Sequence, residues 1–105
     1  MRKQNSEFQT AFTSEADHDL KNTDYFGFVE LDDFACYVIA DGIDDQMDAM
    51  SARLAVAAAV STFSESPSMS KRTMRACLHA ANKALLEARS KMKLKASILV
   101  VLTNY

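Results

Sequence analysis

Hydrophobic positions along the 105 residues follow two rhythms, and each predicts a different kind of element. Phe8 and Phe12 fall on one side of a period-two pattern, which predicts a strand over residues 7–14. Tyr25-Phe26-Gly27-Phe28-Val29-Glu30-Leu31 and the run from Phe34 to Ala40 are rich in β-formers and are separated by Asp32-Asp33. That arrangement predicts an antiparallel hairpin whose second strand stops at Asp41-Gly42. The rhythm then changes to that of a helix, with Met47, Met50, Leu54, Ala57, Ala58 and Ser61 at helical spacing after a capping Asp44 or Asp45. Pro67 cannot continue a helix and biases Ser66 away from helical geometry, so a break is expected there. A second helix is expected from near Ser70, with Met74, Cys77, Leu78, Ala81, Leu85 and Ala88 on its apolar face and His79 half-buried at the border. After the basic linker of residues 91–95, residues 96–103 form a near-continuous apolar run, expected to be a central or doubly covered strand. The expectation is one α+β domain over residues 1–105: an antiparallel sheet of about four strands with two long antiparallel helices on one face.

Composition narrows the functional classes. Hydrophobic residues make up 49% and charged residues 25%, the balance of a globular chain. Twelve basic against fourteen acidic residues, with no basic run interleaved with aromatics, argue against nucleic acid as a partner. The apolar stretch over residues 54–60 is far too short to span a bilayer, and the polar start has no signal-peptide core. No membrane association is expected, and the cytoplasm is the expected location. Cys36 and Cys77 lie inside apolar patterns without CxxC spacing, so buried free thiols are expected. The six methionines read as core filler on helices.

Candidate chemistry gathers at one end of the hairpin. Residues 15–24 hold Glu15, Asp17, Asp19, Asp24 and His18, and the Phe34 run ends in Asp41-Gly42. Antiparallel pairing through the Asp32-Asp33 turn brings Asn22 and Asp24 alongside Asp41. A carboxylate beside a bare glycine carbonyl suits a hard cation such as Mg²⁺ or Mn²⁺; a plain strand ending in a tight turn is the alternative. The strands also carry apolar groups for two faces (Phe26 and Phe28 against Tyr25 and Val29, Val38 against Ile39), whereas two helices cover only one. Self-association through the second face, as a homodimer or a larger assembly, is therefore expected.

In order and spacing, four segments resemble the metal-dependent protein phosphatase 2C superfamily, with the stage II sporulation protein E phosphatases as a close variant. Asn22-Thr23-Asp24 resembles its Asn-Glu-Asp element, and Val38-Ile39-Ala40-Asp41-Gly42-Ile43 its Val-Ala-Asp-Gly-Met segment. Ser51-Ala52-Arg53-Leu54-Ala55-Val56 is similar to the start of the following helix, and Ala96-Ser97-Ile98-Leu99-Val100-Val101 to its Gly-Thr-Thr-Leu-Val-Val strand. The resemblance covers nearly the whole chain and corresponds to the N-terminal half of that family's domain, one half of an α-β-β-α sandwich. It implies two Mn²⁺ or Mg²⁺ ions activating a water against a phosphoserine or phosphothreonine protein, without a covalent intermediate. Asp41 would bridge the ions, Gly42 would offer its carbonyl, Asp24 would act directly or through water, and Asn22 and Asp44 would be accessory.

Three departures bear on activity. Asp19 stands where the family has its phosphate-gripping arginine, Thr23 where it has glutamate, and Asp44-Asp45 where it has Gly-Gly. The family's later metal-binding aspartates belong to the other half. Two expectations follow: a fragment of a phosphatase 2C-like serine/threonine phosphatase, inactive as this chain, or a non-catalytic phosphatase-like interaction or regulatory module.

Overall fold

A two-residue loop turns the chain between its first two described strands, and everything else is laid against the resulting hairpin. The computed structural model describes residues 24–42, 50–88 and 96–104. Strand β1 is Asp24–Glu30, β2 is Phe34–Gly42 and β3 is Ala96–Asn104; helix α1 is Met50–Glu65 and α2 is Lys71–Ala88. At the loop, the Leu31 N–H donates to the Phe34 carbonyl at 2.8 Å, leaving only Asp32 and Asp33 outside the ladder. So short a connection leaves one register, from Glu30 opposite Ala35 to Asp24 opposite Asp41. The strand order is β1-β2-β3, antiparallel throughout, and β3 pairs with β2 from Asn104 opposite Phe34 to Ala96 opposite Gly42. The expected fourth strand, residues 7–14, lies outside the described residues, as do Asp44 and Asp45; among the described residues the sheet is three-stranded.

One face of the sheet carries α1. Cys36, Val38 and Ala40 on β2 and Val100 on β3 are buried against Ala52, Ala55, Val56, Ala59 and Phe63 of α1. Phe63 is fully buried and is the largest such side chain, worth about 1.5–3 kcal/mol on its own. The alanines bring the helix axis close to the strands, and Gly27 completes the fit: a Cβ added there would run into Val56 Cγ1. The buried stripe differs from the expected one. Ala57 and Ser61 are exposed and Leu54 is half-buried, while Ala52, Val56 and Phe63, which the spacing argument passed over, face the core. The cause is that α1 is apolar nearly all round, so spacing alone does not fix which stripe seats on the sheet.

Hydroxyl groups form the α1–α2 connection. The Ser66 N–H donates back to the Phe63 carbonyl at 3.2 Å, and Pro67 follows with no N–H to continue the ladder. Ser70 caps α2: the Thr73 N–H donates to Ser70 Oγ at 3.1 Å and the Met74 N–H to its carbonyl at 3.1 Å. Ser68 Oγ accepts from the Ser70 N–H at 3.3 Å and is bonded to Thr73 Oγ1. The short connection turns the chain back, α2 packs on α1, and its own contact with the sheet is at β3. Cys77 and Ala81 are buried, and Met74 and Leu85 are packed against the core. Leu78 and His79 are both exposed, which corrects their expected places on and beside the buried face; with α1 as its main support, α2 buries a narrower stripe than its apolar residues could fill.

Cys36 and Cys77 are free and buried in one core cluster. Burial pushes the Cys36 thiol from its ordinary 9.0 up to about 12, helped by the neighbouring Cys77, whose own pKa burial also raises. Below pH 9 folded and unfolded chains both keep these protons; from 9 towards 12 only the unfolded chain loses them readily, so stability falls as pH rises through that window. We expect both thiols to resist a disulfide reagent such as DTNB in the native state and to react on unfolding. The urea midpoint should fall more steeply above pH 9 than it does in Cys36→Ala; a native thiol that reacts at once would contradict the burial.

The close approach at Gly27 gives a second expectation. Gly27→Ala should destabilise by about 1–3 kcal/mol through overpacking against the stiff, buried Val56. Adding Val56→Ala should cost less in that background than in the wild type; a purely additive double mutant would show that the two sites do not touch.

Candidate functional site

The chemistry expected from the sequence lies at the end of the sheet away from the hairpin turn. β2 alternates its side chains across the sheet: Cys36, Val38 and Ala40 face α1, and Ala35, Tyr37, Ile39 and Asp41 occupy the other face. Asp41 is exposed on that open face. Its register partners are Asp24 on β1 and Ser97 on β3, so the α-carbons of Asp24 and Asp41 are about 5 Å apart. As the sequence leads one to expect, Asp41 and Gly42 are the last two residues of β2, and both are held in the ladder because β3 extends far enough to pair with them.

The middle of this face is apolar, with Ser97 beside Asp41 at one end and Glu30 and Thr103 beside the buried Ala35 at the other. Phe28, Ile39, Leu99 and Val101 are 45%, 50%, 58% and 44% exposed, with Phe26 and Tyr37 half-buried between them. The rings form a row: Phe26 to Phe28 at 5.6 Å between centroids, and Phe28 stacked on its register partner Tyr37 at 5.9 Å. Asp41, with Ser97 beside it, therefore marks one of the two polar ends of an apolar strip.

A contact that the sequence reading passed over lies at the same end on the opposite face. The Arg53 guanidinium of α1 sits 5.6 Å from the centroid of the Tyr25 ring, a cation–π contact. Tyr25 pairs with Ala40, so this cation is on the helix side of the sheet and Asp41 on the other. An arginine one turn into a helix following an acidic strand end was the available signal; the face it serves was not legible.

As a cation site the described residues supply few donors. Among them no group of three or more His, Cys, Asp or Glu side chains comes together in a way that could hold a metal ion. Asp41 and the Gly42 carbonyl are hard oxygen donors of the kind Mg²⁺ and Mn²⁺ take, and the pairing adds the Asp24 position, but an octahedral ion needs further ligands. Asn22, Asp19 and Asp44 lie outside the described residues. A second acidic region, an open depression of about 530 Å³ lined by Glu30, Asp32, Asp33 and Pro67 among others, is at the hairpin turn, the far end of the sheet from Asp41. The core thiols, held protonated by burial, are unsuited to act as nucleophiles. No helix among the described residues is long and apolar enough to cross a membrane. Comparison with protein-family models, with curated proteins and with solved structures finds no match.

Proposed function

We propose that this chain carries one side of a divalent-cation site of the phosphatase 2C type, the N-terminal half of a serine/threonine phosphatase domain, and that it does not turn over phosphoester substrates by itself. The observation that supports this reading most is the register that sets Asp24 directly opposite Asp41 at the end of β2, with Gly42 next in line. In this reading Asp41, the Gly42 carbonyl and Asp24 would hold Mn²⁺ or Mg²⁺, with Asn22 and Asp44 as accessory groups. Bound there, such ions would supply an activated water and charge neutralisation for a phosphorylated serine or threonine. The chain's own contribution is to set the backbone positions of Asp24 and Asp41 opposite each other in the ladder, with Asp41 exposed at the rim of an apolar face. Asp19, in place of a phosphate-gripping arginine, repels phosphate and argues for inactivity. We place the protein in the cytoplasm on the same footing.

A second reading, a non-catalytic interaction or regulatory module on the same scaffold, draws on the open apolar face, since exposed patches of this kind mark interaction surfaces.

Two measurements test the first reading. With p-nitrophenyl phosphate and millimolar Mn²⁺ the 105-residue chain should show no turnover above background; turnover that Asp41→Asn abolishes would make the chain sufficient for catalysis. Mn²⁺ should broaden the amide resonances of Asp41 and Gly42 in NMR spectra with weak affinity, on the order of 1 mM. Asp41→Asn should remove that broadening. Absence of broadening in the wild type would remove the support for a cation site.

A further inference from the structure

We infer that the open face of the sheet is a homodimer interface, in which a second copy of this chain stacks face to face with its two-fold axis along β2. The inference is independent of the phosphatase reading. Phe28, Ile39, Leu99 and Val101 span all three strands and are each about half exposed. Large side chains carry on the order of 150–250 Å² each, so these four leave roughly 400 Å² of apolar area in water. Doubled across two copies and widened by a rim of Ser97, Thr103 and Asp41, the buried surface approaches about 1,200 Å², the lower limit for specific association and the range of weak, reversible dimers.

The register makes the face fit itself. It is graded in size, aromatic along β1 and aliphatic along β3: Phe26 is level with Ile39 and Leu99, and Phe28 with Tyr37 and Val101. Rotation about an axis parallel to β2 carries the β1 side of one copy over the β3 side of the other at the same level. Phe28 then meets Val101 and Phe26 meets Leu99, so wide and narrow layers interdigitate at the usual sheet spacing of about 10 Å. Ile39 falls on the axis opposite its own copy. The same rotation brings the two Asp41 carboxylates to one end, a like-charge contact that opposes the dimer and is screened by salt.

Sedimentation velocity of the 105-residue chain across micromolar concentrations should show a monomer–dimer equilibrium with a dissociation constant on the order of 10 µM, tighter at higher salt. Ile39→Lys and Leu99→Lys should each weaken it about tenfold or more with circular dichroism retained, while Glu87→Lys on α2, distant from the face, should not. If Ile39→Lys fails to fold, Leu99→Lys at the sheet margin and the conservative Ile39→Cys still decide the matter. Ile39→Cys, oxidised with copper-phenanthroline, should give a disulfide-linked dimer through residue 39. A monomer at all concentrations overturns the inference, as does a dimer insensitive to both lysine variants. A monomer in which Ile39→Cys is protected from maleimide also overturns it, because the chain's own residues then cover the face.

Discussion

The hairpin closed by Asp32 and Asp33 sets the register on which every other described contact depends. With two residues in the loop and the Leu31 N–H bonded to the Phe34 carbonyl, no residue can be added or removed without rebuilding the turn. A slip of one residue would turn Cys36, Val38 and Ala40 away from α1 and carry Asp41 from the open face to the helix-covered one. The turn therefore protects the core and the exposed position of Asp41 together.

Small residues translate that register into layers. Ala52, Ala55 and Ala59 let α1 lie close on β2, Gly27 leaves space for Val56, and Phe63 fills the volume beyond. Because α1 is apolar on most of its circumference, it can be covered by the sheet on one side and by α2 on another. The hydroxyl-lined connection from Ser66 to Ser70 then folds α2 back over it. The helices thus form a graded stack, in which α2 reaches the sheet at β3 while α1 makes most of the contact.

The consequence for function lies on the opposite face. The exposed carboxylate of Asp41 and the apolar side chains of Phe28, Ile39, Leu99 and Val101 share that face because β2 alternates strictly and both neighbours are in register with it. Any element that covers the apolar area also sits against Asp41.

The sequence by itself determined the elements and their order. The turn at Asp32-Asp33, the break at Pro67, the helix start near Ser70 and the apolar β3 are written in local chemistry that acts within a few residues. It also determined that Asp24 and Asp41 would be neighbours, since a tight hairpin leaves its two ends no other place. Only the tertiary structure decided which sides face inward. An alanine-rich helix offers several seating stripes of nearly equal hydrophobicity, so Phe63 and Ala52 became core only once the sheet selected them. Leu78 and His79 were left in water because α2 rests on a helix and not on a broad surface. β2 is apolar on both sides, so its sequence lacks the alternation that assigns a face; the placement of Asp41 on the open side, and its continuation with Gly42 in the ladder, followed from where α1 docked and how far β3 extended.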